Sequence, residues 1–129
     1  DGAALLLFVT VMLWTAGFDI IYACQDAEFD QKEGLYSIPS RFGIANALLI
    51  SRGCHLLTVV GLFALYRQAA LSLWFLLGVI LAALILIYEH SLVKPTDLSK
   101  LNVAFFAMNG ILSVVVFTFT LLDLVIAWV

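Results

Sequence analysis

The sequence predicts an all-α integral membrane protein that crosses the bilayer about four times, on three observations. Of its 129 residues 64% are hydrophobic and 12% charged, and the mean hydropathy is +1.13. A soluble domain of this length has no core large enough to hide so much apolar surface. The apolar residues also gather into runs near or above the ~20 residues that a helix needs to cross a ~30 Å hydrocarbon core. Polar residues lie mainly between the runs, and the longest polar stretch, Asp19 to Gly43, follows directly from the first of them.

The first span is expected over about Ala3 to Ala23, the second over Ile44 to Tyr66, the third over Leu71 to Tyr88 and the fourth over Val103 to Val129. Arg67 and Gln68 are among the few polar residues between the second and third, which predicts a tight helical hairpin. EHSLVKPTDLSKLN separates the third and fourth; Pro95 breaks any helix there, and Thr96 or Asp97 is placed to cap a short one after it. Lys32, Arg41, Lys94 and Lys100 fall on the side of the two long loops and Arg67 on the other. The positive-inside tendency then turns the acidic stretch toward the cytoplasm, in a multi-pass cytoplasmic (inner) membrane protein with both termini outside. The net charge of -3 is concentrated around Asp19 to Glu33 and says little about partners, while the lack of a basic cluster argues against nucleic acid. Cys24 and Cys54 show no metal-ligand spacing and read as packing residues in a reduced setting. No charged segment and no small-residue cleavage pattern marks a signal peptide. A chain starting at Asp1 rather than Met is expected to be a piece of something longer.

The chemistry is concentrated in DIIYACQDAEFDQKEGLYSIPSRFG. On a regular helix Asp19, Tyr22, Asp26 and Asp30 share an arc of about 80°, while Glu28 lies nearly opposite. Like charges one turn apart repel, so an acidic face beside a span asks for a cation. Oxygen donors without His or Cys suit a hard ion, Mg²⁺ before Zn²⁺, and Mg²⁺ commonly joins one or two carboxylates to substrate phosphates. Acids just beyond a span also simply mark the water boundary. The neighbours favour the site: a phenol on the same face, then Lys32, Gly34, Ser37 and Arg41, which suit phosphate oxygens.

DxxYAxxDxxxD followed by KxGxxSxxxRFG resembles the second aspartate-rich motif of the UbiA family of membrane prenyltransferases. Asp19, Tyr22, Ala23, Asp26 and Asp30 carry the likeness, then Lys32, Gly34, Ser37 and Gly43. YEHSLVKPTDLSKLNVAFFAMNG is similar to a 4-hydroxybenzoate polyprenyltransferase-like subgroup, some of whose members act in the futalosine route to menaquinone. The resemblance implies a bundle of about nine helices, of which this chain matches the C-terminal half. The family's first motif, of the NDxxDxxxD kind, is absent from these residues. The chain is thus expected to be a cropped or split portion of one prenyltransferase domain, inactive without its N-terminal half. The implied activity is Mg²⁺-dependent transfer of a polyprenyl group from polyprenyl diphosphate to a small aromatic acceptor. That acceptor is 4-hydroxybenzoate-like or aminofutalosine-like, in ubiquinone or menaquinone biosynthesis. Asp26 and Asp30, completed by Asp19, are expected to hold the metal; Lys32, Ser37 and Arg41 are expected to meet the diphosphate; Tyr22 orients it or stabilises an allyl cation.

Polar residues within spans usually face a bundle interior. Asn102, Phe105, Phe106, Asn109 and Ser113 share a face of the fourth span, where they either line the cleft or pack as amide glue. Asn46 and Gly53 read as a packing seam, His55 as a buried hydrogen-bonded residue near Ser51, and Asp123 as a headgroup-level acid. Glu89 and His90 end the third span, either as interface anchors or as partners of the aromatic acceptor. Two rival classes remain. A CDP-alcohol phosphotransferase needs a DGxxAR element, which Asp1-Gly2 does not continue. A non-enzymatic ion-binding transport or scaffold subunit needs the acids but no diphosphate.

Overall fold

The computed structural model describes residues 1–127. The described residues are almost entirely helical: α1 (Gly2–Ala23), a 3₁₀ turn (Cys24–Asp26), α2 (Ala27–Lys32), α3 (Ile38–Phe42), α4 (Ile44–Gln68), α5 (Leu73–Ser91), a π-helical stretch (Val103–Ala107) and α6 (Met108–Ala127). The one extended pairing among them is an isolated antiparallel bridge between Lys94 and Asp97. Four helical segments are long and apolar enough to cross a membrane: Gly2–Lys32, Ile44–Gln68, Leu73–Ser91 and Val103–Ile126. The chain is a multi-pass membrane protein of the all-α class, as its composition requires.

The first segment is longer than the apolar run because the helix does not stop at the acids; it tightens through Cys24–Asp26 and continues as α2. The turn after α2 passes through Gly34, whose φ of +70° an L side chain rarely adopts. α3 is opened by a capping box in which the Ser37 hydroxyl accepts from the Ser40 amide at 3.1 Å while the Ser40 hydroxyl accepts from the Ser37 amide at 2.8 Å. Gly43, at φ +87°, then turns the chain directly into α4.

The fourth span reaches Ala127 within the described residues, and its expected end at Val129 lies outside them. The third span is shifted from Leu71–Tyr88 to Leu73–Ser91, which draws Glu89 and His90 inside the helix. Its start is set by Asp123 of α6, whose carboxylate accepts from the Ser72 amide at 2.8 Å, the Ser72 hydroxyl at 2.6 Å and the Phe75 amide at 3.0 Å. These amides belong to the unpaired first turn of α5, where a negative charge also meets the positive end of the helix dipole. Asp123 is therefore a buried cap on a neighbouring helix, 2% exposed.

The short helix expected after Pro95 is absent. The Asp97 carboxylate instead accepts from the Ser99 amide at 3.0 Å, closing a turn before the chain becomes helical again at Leu101. The Asn46–Gly53 seam is not formed either. Asn46 is exposed and donates to Phe42 O at 2.9 Å, and nothing approaches Gly53. Close helix contact is made through other glycines: Gly17 against His55, Gly61 against Thr10 and Gly78 against Phe119.

α1 packs along α4, α4 meets α5, α5 packs along α6, and the π-helical stretch returns to α1. One apolar cluster fills the middle, from Phe18 through Leu62, Val79 and Leu86 to Leu112. A second, including Ile21, Leu48, Val93 and Leu101, joins the end of α1, the start of α4 and the loop before the fourth span. That cluster holds the Lys94–Lys100 loop at the same end of the bundle as the acidic stretch.

Candidate functional site

Asp19 is exposed in the last turns of α1. It lies at one end of an exposed apolar face of α1 that runs back past Met12, Val11, Phe8 and Leu7. Tyr22, half-buried, lies edge-on against Phe105 at 4.4 Å and Phe106 at 5.8 Å between ring centroids. Three aromatic rings thus cluster at Tyr22, one helical turn from Asp19. Asp26 ends the 3₁₀ turn at φ −103°, ψ 6° and caps nothing with its side chain. The 3₁₀ turn winds at about 120° per residue rather than about 100°, so it carries Asp26 and Asp30 further round the axis than a regular helix does. The shared arc of about 80° is accordingly loosened.

Among the described residues, Asp19, Asp26 and Asp30 form no side-chain hydrogen bond or ion pair, and they do not converge within 4.8 Å of one another. They form an open wall of unpaired carboxylates, Asp19 and Asp26 exposed and Asp30 half-buried. Such a wall does not enclose an ion, but it fits a hard cation that is also carried by phosphate oxygens. Lys32 pairs with Glu28 at 3.7 Å, both well exposed, an interaction too weak to withhold Lys32 from a stronger anion. The Arg41 guanidinium lies 5.6 Å from the Tyr36 ring centroid at the end of α3, with its fork exposed. The Ser37 hydroxyl is occupied as an acceptor by the cap and keeps its own hydrogen to donate.

The fourth-span face divides. Asn109 accepts from Trp14 Nε1 at 3.2 Å and so ties α6 to α1, which is the amide-glue role. Ser113 donates to its own helix at Asn109 O, and Asn102 is exposed. The π-helical turn, in which the Met108 amide donates to Val103 O, breaks the regular spacing that had placed all five residues together.

Glu89 and His90 do not anchor an interface. His55, Glu89 and His90 form a cluster between α4 and α5 with side-chain exposures of 2%, 0% and 11%. His55 Nδ1 lies 2.7 Å from His90 Nε2. Glu89 reaches His90 Nε2 at 3.0 Å and His55 Nδ1 at 3.6 Å. His55 Nε2 lies 3.2 Å from Trp14 O; a carbonyl only accepts, so that nitrogen carries the hydrogen. His55 is thus buried and hydrogen-bonded as expected, but its joining to Glu89–His90 was not foreseen. A histidine in mid-span and an acid–histidine pair ending the next span were the available signals. What they lacked was the helix rotation that aims them at each other.

The UbiA prenyltransferase family matches over residues 1–123. The chain is 31% identical over 91 residues to a 4-hydroxybenzoate octaprenyltransferase of Hahella chejuensis, covering 70% of this chain and 30% of that protein. It is 34% identical over 96 residues to the enzyme of that name from Pseudomonas aeruginosa (74% and 32% covered). With the Pseudomonas fluorescens enzyme of that name it shares 33% over 110 residues (81% and 35% covered). The chain spans about a third of the length of these curated relatives. No solved structure matches it. The helical membrane fold, the acidic wall at the end of α1 and the match over nearly the whole chain agree: the chain belongs to the UbiA prenyltransferase family.

Proposed function

We propose that this chain is the C-terminal portion of a membrane polyprenyltransferase, which moves a polyprenyl group from its diphosphate to a small aromatic acceptor in quinone biosynthesis. The observation that carries the reading is the exposed apolar face of α1 that ends on Asp19, the first of three free carboxylates. An isoprenoid chain suits that face, and its diphosphate then lies against Asp19, Asp26 and Asp30.

A Mg²⁺ ion held by Asp26 and Asp30, with Asp19 completing the face, would neutralise the diphosphate and make it a good leaving group. Lys32 and Arg41 approach phosphate oxygens turned away from the carboxylates, Arg41 with the better fork. The Ser37 hydroxyl donates one hydrogen bond. The allylic C–O bond breaks, diphosphate leaves, and the electron-rich ring carbon of the acceptor forms the new C–C bond and loses its proton. Tyr22, backed by Phe105 and Phe106, presents ring faces to the allyl cation. Glu89, His90 and Asn109 are engaged with other helices and are not given to the acceptor, and Asn102 stands exposed outside this set. Lys32, Arg41, Lys94 and Lys100 lie at the end of the bundle that carries the acids. The positive-inside tendency turns that end to the cytoplasm, in the inner membrane.

The relatives' name favours 4-hydroxybenzoate as acceptor, and the C-terminal YEHSLVKPTDLSKLN pattern admits an aminofutalosine-like ring in a menaquinone route. The test is transfer of labelled polyprenyl diphosphate to each acceptor in membranes carrying the intact protein, with and without Mg²⁺. Mg²⁺-dependent product with one acceptor is expected, and Asp26→Ala is expected to remove it while the protein stays folded. Full activity of Asp26→Ala would refute the assignment. Diphosphate-independent ion transport would favour the non-enzymatic reading.

A further inference from the structure

We propose that His55, Glu89 and His90 form a buried binding site for a divalent transition metal, of which Zn²⁺ is the best fit, separate from the acidic wall. Three observations converge. The first is geometric: one nitrogen from each imidazole and a Glu89 carboxylate oxygen all lie within 4.8 Å of one another, around a common centre. Ligands about 2.1 Å from a tetrahedral zinc lie about 3.4 Å apart. His90 Nε2 lies 3.0 Å from Glu89 Oε1 and His55 Nδ1 lies 3.6 Å from Glu89 Oε2, either side of that value. The His55–His90 separation of 2.7 Å needs to widen by about 0.7 Å.

The second observation is electrostatic. With His55 Nε2–H directed at Trp14 O, the neutral His55 ring offers only a lone pair at Nδ1. His90 Nε2–H satisfies that lone pair, yet both oxygens of the fully buried Glu89 remain without a hydrogen bond among the described residues. A buried carboxylate lacking a donor is costly. A cation at the common centre takes the His55 Nδ1 lone pair and the carboxylate together, and the His90 Nε2 lone pair once that ring switches to its Nδ1–H tautomer. Two imidazoles with one carboxylate suit a borderline ion better than Mg²⁺, which prefers oxygen donors.

The third is the surrounding support. Metal-bound histidines ordinarily donate their other N–H to a carbonyl or carboxylate, which fixes the ring, and Trp14 O does this for His55. Gly17 supplies the clearance, since a Cβ there would overlap the imidazole at Nε2. The site also has an entrance. A cleft of about 450 Å³ between α4 and α5 is lined by His55, His90, Arg52 and Ser91, so a fourth position can be filled from outside. A bound ion would join α4 to α5 directly and α1 through Trp14, fixing the helices near the end of the bundle that carries the acids.

The experiment uses the intact protein purified in detergent, stripped with chelator and reloaded with Zn²⁺ or Co²⁺. One metal per chain is expected, with a visible Co²⁺ absorption band of tetrahedral type. Glu89→Gln, nearly isosteric, and His90→Ala should each weaken binding by at least about 100-fold, the upper end of what losing even an outer partner costs. Asp26→Ala should retain full loading, which separates this site from the acidic wall whether or not prenyl transfer is observed. Failure of the unaltered protein to hold the metal against a competing chelator would overturn the proposal. Equal loading of the Glu89→Gln variant would do the same.

Discussion

Replacing Asp123 by alanine removes the single group that closes the first turn of α5. Three hydrogen bonds disappear, to the Ser72 amide (2.8 Å), the Ser72 hydroxyl (2.6 Å) and the Phe75 amide (3.0 Å). Ser72 is exposed, so its two donors find other partners and contribute little to the difference. The Phe75 amide belongs to a residue only 4% exposed, and stranding it costs about 1–3 kcal/mol. The expected destabilisation is therefore about 2 kcal/mol for Asp123→Ala. Asp123→Asn keeps an oxygen in the same place and loses only the charge–dipole attraction, about 1 kcal/mol. The assay is denaturant unfolding in mixed micelles, followed by helical circular dichroism and by fluorescence near Trp74. An alanine variant within about 0.5 kcal/mol of the parent would refute the capping argument. So would an asparagine variant as unstable as the alanine one.

Other expectations follow from the same packing and charge arguments. A Cβ at Gly61 would overlap the Thr10 hydroxyl, so Gly61→Ala should destabilise the α1–α4 contact by about 1–3 kcal/mol. Adding Thr10→Ala should recover most of that loss in a double-mutant cycle. If Tyr22 acts through its ring, Tyr22→Phe should retain most transfer activity and Tyr22→Ala should lose it; equal losses would assign the role to the hydroxyl. Asp97 has its carboxyl held below the ordinary value, first by the Ser99 hydroxyl and then by the Ser99 amide. Its hold on the loop is complete above the unfolded value and is lost as pH falls through the lowered one. The protection factor of the Ser99 amide, its exchange rate taken relative to the intrinsic rate at each pH, should fall over that acid range in the parent and show no such step in Asp97→Asn.

What the sequence disclosed depends on how far apart the informative residues lie. Spans are local: each is a run of apolar side chains, and hydropathy found all four, missing the ends of the third by two or three residues. The acidic motif is local too, since Asp19, Asp26 and Asp30 belong to one continuous helical stretch. Periodicity failed where two apolar surroundings compete. A membrane helix is oily toward lipid and oily toward its neighbours, so spacing alone did not say that Asn46 and Gly53 face outward. Nor did it reveal the π-helical turn that divides the Asn102–Ser113 face.

The helix arrangement is encoded instead in pairs of in-span polar groups that satisfy each other across helices. Ser51 donates to Gly17 O at 2.7 Å and joins α4 to α1. His55 meets Glu89 and His90 between α4 and α5. Asp123 of α6 caps α5, and Trp14 of α1 donates to Asn109 of α6. These links trace α1–α4–α5–α6 and back to α1, so each neighbouring pair of long helices shares a polar contact. In hydrocarbon an unpaired polar group is costly, so the links select rotation and partner where apolar packing alone would accept several. Three of the four are closed by protein hydrogen bonds, whereas the one between α4 and α5 leaves the Glu89 carboxylate without a donor. That imbalance is why the α4–α5 contact, and not the better-satisfied ones, is the place to look for a bound ion.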